Sequence, residues 1–177
     1  IRDRNYRMML RFIGNVLLYE LLLMIIPLGV ALYYGDGDAR SFLFTIILML
    51  PLALFLRSVK VKDKEMYEKE GFFTVGLSWI VISVIGALPF VISGAIPSFV
   101  DSFFETVSGF TTTGATILTE IESLPRGILF WRSFTHWIGG MGFLIFILAI
   151  APSLGSNTIY LLRAESPGPV SYTHLRA

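Results

Sequence analysis

The residues best suited to chemistry form one short run, Phe110-Thr111-Thr112-Thr113-Gly114-Ala115-Thr116. Four threonines around a single glycine favour extended backbone over helix, because a β-branched side chain loses rotamer freedom against a preceding helical turn. Extended backbone can aim successive carbonyl oxygens at an axis, where they replace the water shell of a dehydrated cation. The threonine hydroxyls add oxygen ligands and anchor the strand, and Gly114 permits a backbone angle that L-residues avoid. Oxygen ligands of this kind suit hard alkali cations. Alone, such a run is also compatible with an edge strand or a loop.

What precedes the run narrows the choice. Residues 98–109 read Ser-Phe-Val-Asp-Ser-Phe-Phe-Glu-Thr-Val-Ser-Gly, too apolar for an external loop. Pro97 ends the preceding structure. Ser98 can cap a helix, and Asp101 three positions later completes a capping-box pattern at the positive end of the dipole. Gly109 is the expected stop. About 11 residues make a helix of roughly 16 Å, half a bilayer, so a re-entrant helix is expected, with its negative end facing the following threonines. Glu105 on this helix either attracts cations or bonds to the backbone of the run and holds it in shape.

The elements that must position this segment are long and apolar. The chain has 177 residues, 54% of them hydrophobic and 15% charged, with a mean hydropathy of +0.71, far from a soluble domain with one polar face. Four stretches approach the roughly 20 residues that a spanning helix needs. They are 12–34, with Asn15, Glu20 and an expected kink at Pro27; 41–56; 72–93, without a charge; and 127–151, with Arg132 and His136 in its first third. The turn Gly35-Asp36-Gly37-Asp38 joins the first two into a hairpin. Lys and Arg divide ten to three between the two sides of this arrangement, Arg176 being set aside, which assigns both ends to the cytoplasm. The block around residues 60–70 mixes acids with bases, as a solvated loop does, rather than forming a pure anionic-lipid patch.

The net charge of +1 gives no reason to invoke nucleic acid. The absence of cysteine excludes disulfides and thiolate chemistry. Neither Ser nor His shows nucleophile-elbow or metal-ligand spacing, which argues against an enzyme. Several residues keep two readings each. Glu20 is either an ion or proton relay or a packing residue at a helix interface. Arg132 and His136, one turn apart, either tie the last span to the outer support of the threonine run or form a selectivity or pH element. Gly139, Gly140 and Gly142 either form a hinge or allow close helix packing. Trp131 and Trp137 are expected in an interfacial belt.

Phe104-Glu105-Thr106-Val107-Ser108-Gly109-Phe110-Thr111-Thr112-Thr113-Gly114-Ala115-Thr116, followed by Trp131-Arg132-Ser133-Phe134-Thr135-His136-Trp137-Ile138-Gly139-Gly140-Met141-Gly142, closely resembles the first pore repeat of TrkH-type potassium uptake subunits. The resemblance implies an all-α membrane protein, with two N-terminal transmembrane helices and one helix–pore-loop–helix unit of a potassium-channel-like fold. Residues 1–69 would be the hairpin and a cytoplasmic loop, and 70–169 the first pore unit, with helix 72–93, pore helix 98–109, filter 111–116 and helix 127–151. The filter would comprise Thr112, Thr113, Gly114 and Ala115 flanked by Thr111 and Thr116, with Thr112 and Thr113 as the leading potassium ligands and Glu105 and Arg132 as support.

Family members carry four such units in one chain, so the resemblance covers about a third of a full member. One unit alone cannot close a ring of carbonyls. Residues 170–177 depart from the family pattern and are expected to be a non-native tail. The implied activity is potassium transport in a bacterial inner membrane, channel-like or by proton symport, with potassium as the transported ion and no bound cofactor. The implied partners are the lipid bilayer, a second copy and a cytoplasmic nucleotide-binding regulatory subunit of the TrkA type. A secondary transporter with a broken-helix substrate site is the alternative.

Overall fold

A computed structural model describes residues 6–61 and 68–150. Among them every regular element is an α-helix. Helices α1 (Tyr6–Leu23) and α2 (Ile25–Tyr34) form one broken rod, α3 is Ala39–Arg57, and α4 is Glu68–Ser93. The short α5 is Phe99–Phe110 and α6 is Arg126–Ile150. Of the described residues, those up to Gly139 form one compact unit and those from Gly140 onward belong to a second. The 170–177 tail and most of the 60–70 block lie outside the described residues.

The break between α1 and α2 falls at Met24, three residues before Pro27. Proline has no amide hydrogen to give the Leu23 carbonyl, so the ladder fails one turn N-terminal to the ring. The rod nevertheless continues, since the Met24 amide donates to the Glu20 carbonyl and the Leu28 amide to the Met24 carbonyl, at 2.9 and 3.1 Å. Pro51 and Pro89 lie inside α3 and α4, and neither divides its helix.

Among the described residues, three stretches are long and apolar enough to cross a bilayer: Tyr6–Tyr34, Ala39–Arg57 and Glu70–Ser93. Much of their apolar surface faces outward, as with Phe55 at 72% exposed and Ile47 at 61%. A water-soluble monomer rarely shows so much contiguous apolar surface, whereas hydrocarbon is its natural solvent. Hydroxyls on these helices are satisfied within them. Thr45, Thr74, Ser78 and Ser83 each donate to the carbonyl four residues back, at 2.6 to 2.8 Å.

The buried centre lies where α3, α4 and α5 meet the first turns of α6. Trp131 is fully buried there, edge-on to Phe42 and Phe110, and its indole nitrogen donates to the Gly86 carbonyl at 2.9 Å. Trp131 is thus a core residue rather than part of an interfacial belt: its ring fills the junction and its one donor has found a carbonyl. Trp137 is 58% exposed and stacks on Phe134.

Asp36 and Asp38, in the hairpin turn, dock on the start of α6. The Arg126 amide donates to Asp36 Oδ2 at 3.1 Å and the Ile128 amide to Asp38 Oδ2 at 2.9 Å. Two otherwise orphaned amides of the helix N-terminus gain carboxylate partners, and the negative charge complements the dipole. Arg126 also lies over the Tyr34 ring, 4.6 Å from its centroid. The N-terminal hairpin is therefore pinned to the later helices by side chains about 90 residues away in sequence.

Candidate functional site: the segment after the short helix

Helix α4 ends at Gly94, whose φ of +75° lies in the left-handed region where glycine pays no Cβ penalty. Ser98 then caps α5. Its Oγ accepts from the Asp101 amide at 3.4 Å, as the Ser-x-x-Asp spacing predicts. The helix has 12 residues and at 1.5 Å per residue is roughly 18 Å long. A second hold comes from Ser102, fully buried, whose hydroxyl donates to the Ile96 carbonyl at 2.9 Å.

Gly109 does not end α5, as its sequence position suggests. The helix runs through Phe110, and the left-handed residue is Thr112, with φ +56°. Gly109 serves packing instead: a Cβ there would run into the Thr135 hydroxyl of α6. Gly139 has a similar role, because a Cβ would collide with the Phe110 backbone. Gly139 is thus closely packed against the end of α5. Gly140 and Gly142 lie further along α6.

The turn at Thr112 folds the chain back on the helix end. The Thr112 amide donates to the Gly109 carbonyl at 2.9 Å, and the Thr113 amide to the Ser108 carbonyl at 3.0 Å, the paired pattern of a Schellman cap. The Gly114 amide reaches the same Ser108 carbonyl at 3.5 Å. Among the described residues no peptide bond is cis. In a trans peptide the carbonyl opposes the N–H of the same unit. Three amides that point back to α5 therefore send the Thr111, Thr112 and Thr113 carbonyls the opposite way, away from the helix end.

Beyond the cap, Gly114 is again left-handed, at φ +76°, so the sign of φ alternates along residues 111–115. Residues 111–117 are exposed throughout. A β-branched residue in the left-handed region costs about 1–2 kcal/mol against its preferred conformations, and such residues cluster where function demands them.

The side chains behind the segment are well tied. Thr111 Oγ1 donates to the Val107 carbonyl at 2.7 Å and lies 2.8 Å from Thr113 Oγ1. Ser108 Oγ donates to the Ala115 carbonyl at 2.6 Å. Thr116 Oγ1 donates to the Glu105 carboxylate at 2.9 to 3.0 Å and accepts from the Leu118 amide at 3.1 Å. The Ile117 amide adds a longer bond to Glu105 Oε2 at 3.3 Å.

Glu105 is 2% exposed and forms an ion pair with Arg132 of α6, Nε to Oε1, at 2.6 Å. Of the two roles open to Glu105, the hydrogen bonds favour holding the segment, and Arg132 ties α6 to that hold. His136 Nδ1 lies 3.0 Å from the Arg132 carbonyl, one turn back on its own helix.

Glu20 is 5% exposed, neither of its oxygens has a hydrogen-bond partner among the described residues, and it adjoins Gly86 of α4 beside Thr106 and Phe110 of α5. The first span and the short helix therefore meet the same point of α4, at Gly86. Sequence reasoning had no signal for Ser108 or for the docking of Asp36 and Asp38, which depend on a turn and on a contact distant in sequence.

A short half-buried helix, an exposed segment after it and a surround of apolar helices define a multi-pass α-helical membrane protein. Residues 38–173 match the TrkH family model, described as "Cation transport protein". The chain belongs to this family. It is 42% identical over 175 residues to the Trk system potassium uptake protein TrkH of Escherichia coli K12 and 38% identical over 173 residues to that of Vibrio parahaemolyticus; each match covers 97% of this chain and 36% of the relative. The Trk system potassium uptake protein TrkG of E. coli K12 is 35% identical over 150 residues, 82% of this chain and 30% of its own length. The chain thus spans about a third of the length of these relatives.

Proposed function

We propose that this chain supplies one ion-ligating element of a potassium-transporting pore, and that 111–116 is its filter segment. The observation that carries this reading is the fold-back at Thr112. Three amides are consumed by the end of α5, leaving the Thr111, Thr112 and Thr113 carbonyls turned outward on exposed backbone. Lipid does not tolerate irregular backbone with unsatisfied carbonyls, so this face lines water or meets other protein. A row of carbonyls in such a place substitutes for the hydration shell of an alkali cation. The relatives named as potassium uptake proteins support potassium as that cation.

Within this reading Thr112 and Thr113 are the main ligands, Thr111, Gly114, Ala115 and Thr116 complete the segment, and Glu105 and Arg132 brace it. Residues 1–69 form the hairpin and loop, and 70–169 one pore unit of four. The complete protein sits in a bacterial inner membrane with both ends of this region cytoplasmic, pairs with a second copy and is regulated by a cytoplasmic nucleotide-binding subunit.

The test is Gly114→Ser and Gly114→Asp in the full-length transporter, because either side chain meets a positive φ at the centre of the segment. The ratio of potassium to sodium uptake is expected to fall in both. An unchanged ratio together with saturable uptake of an organic solute would replace the pore reading with that of a substrate carrier.

A further inference from the structure

Ser108 departs from the usual pattern of the hydroxyls on the described helices. Thr45, Thr74, Ser78, Ser83, Thr106 and Thr111 all donate to the carbonyl four residues back, the usual resting place of a helical hydroxyl. Ser108, in the last turn of α5 and 5% exposed, reaches seven residues forward to the Ala115 carbonyl at 2.6 Å. Its own carbonyl simultaneously accepts from the Thr113 and Gly114 amides, at 3.0 and 3.5 Å. One residue therefore grips the segment at two places with opposite polarity.

The two grips have different consequences. The carbonyl of Ser108, by drawing amides inward, sends the Thr112 and Thr113 carbonyls outward. The hydroxyl of Ser108 draws a carbonyl inward. Ala115 is thus the point along 111–115 at which a carbonyl is engaged by α5 instead of facing away from it.

We propose that Ser108 is a positioning residue that sets where the cation-ligating stretch ends, by holding the Ala115 carbonyl back from a dehydrated monovalent alkali cation. The inference rests on the reading of 111–116 as the filter and deepens it. Discrimination among alkali cations depends on how many carbonyl dipoles surround the ion and how freely they move. Without the hydroxyl, the Ala115 peptide unit loses its inward partner and is free to rotate, so both the number and the stiffness of the oxygens change. A carbonyl left without its donor also becomes available to a new partner, a cation included.

The experiment uses the full-length transporter in a bacterial host lacking its own potassium uptake, with potassium and sodium as the probes. Both the potassium KM and the potassium-to-sodium uptake ratio are measured. The ratio does not depend on how much protein reaches the membrane. Ser108→Ala is expected to lower it roughly five- to tenfold, the scale of one lost neutral hydrogen bond, and to shift KM while the maximal rate per molecule holds. Ser108→Thr, which keeps the hydroxyl, is expected to restore the ratio, and Ser108→Cys, with a weaker donor, to fall between.

Gly114→Ser serves as the companion variant. If Gly114→Ser changes the ratio and Ser108→Ala does not, the positioning role is overturned and the filter reading stands. If neither changes it, the filter reading fails and the inference with it. A Ser108→Ala protein that is merely scarcer, with its ratio unchanged, also overturns the proposal.

Discussion

The ion pair between Glu105 and Arg132 makes a quantitative prediction. Glu105 receives a donor from each of three directions: Arg132 Nε at 2.6 Å, Thr116 Oγ1 at 2.9 Å and the Ile117 amide at 3.3 Å. The side chains are 1% and 14% exposed, so neither water nor salt substitutes for a lost partner. Arg132→Gln leaves the carboxylate buried with two neutral donors. Glu105→Gln leaves the guanidinium facing an amide. Removing one partner of a buried pair costs about 3–5 kcal/mol, and the lower end applies because Arg132 keeps some exposure.

The double variant removes both charges and lets two amides pair. It is expected to cost less than the sum of the singles, with a coupling of about 2 kcal/mol, within the span seen for residues in contact. Thermal unfolding of the detergent-purified full-length protein reads the stability side of this cycle. The potassium-to-sodium uptake ratio reads the functional side, because Thr116 and Ile117 hang from the same carboxylate. Glu105→Ala, which deletes every acceptor, is expected to disturb the ratio more than Glu105→Gln, which keeps one. Additive singles of under about 1 kcal/mol each, with the ratio intact, would mean that the pair behaves as a solvated surface bridge and that the proposed bracing is wrong.

Two further perturbations separate folding from function. Asp38→Ala removes the acceptor of the Ile128 amide and is expected to cost about 0.5–2 kcal/mol of thermal stability, as lost N-terminal caps do; Asp38→Asn keeps an oxygen there and should stay near wild type, and equal losses in the two variants would refute the capping role. Thr112→Gly places at φ +56° the residue that tolerates it best, so stability is expected to hold within about 1 kcal/mol while the potassium-to-sodium ratio changes; a variant that is destabilised yet transports normally would show that the left-handed threonine is there for the fold.

How legible this arrangement is from sequence depends on the range of the interaction that fixes each residue. The Ser98 cap, the short helix and the positive φ of Gly114 follow from neighbours three or four positions away, and all can be read directly. The bond from Glu105 to the segment spans 11 residues, close enough to be weighed as one of two roles. Arg132 as an anchor emerges in the same way. Trp131 is misread, because a tryptophan near a span end suits an interface on composition alone. Only the convergence of Phe42, Gly86 and Phe110 from three helices makes it core.

Gly109 is misread for a related reason. A glycine has two uses, a turn and a close approach, and its position at the helix end suggested the first while Thr135 of α6 requires the second. The docking of Asp36 and Asp38 leaves no local trace at all. A Gly-Asp-Gly-Asp turn is complete as a turn, and nothing in it announces a helix start some 90 residues later.

The bonds also show which side of the segment this chain completes. From behind, residues 111–117 are held by the end of α5, Ser108 above all, and by Glu105 bridging to Arg132 of α6. α6 is in turn started by Asp36 and Asp38 of the hairpin. A continuous line of hydrogen bonds therefore runs from the N-terminal hairpin through α6 and Arg132 to Thr116. The front carries outward carbonyls and exposed backbone with no such support. A peptide carbonyl in a membrane stays unpartnered only at a cost of several kcal/mol, so a segment braced this firmly on one side and open on the other is built to be completed from the open side. Completion by cation, water and further protein is the physical content of the proposal that it is one element of a pore.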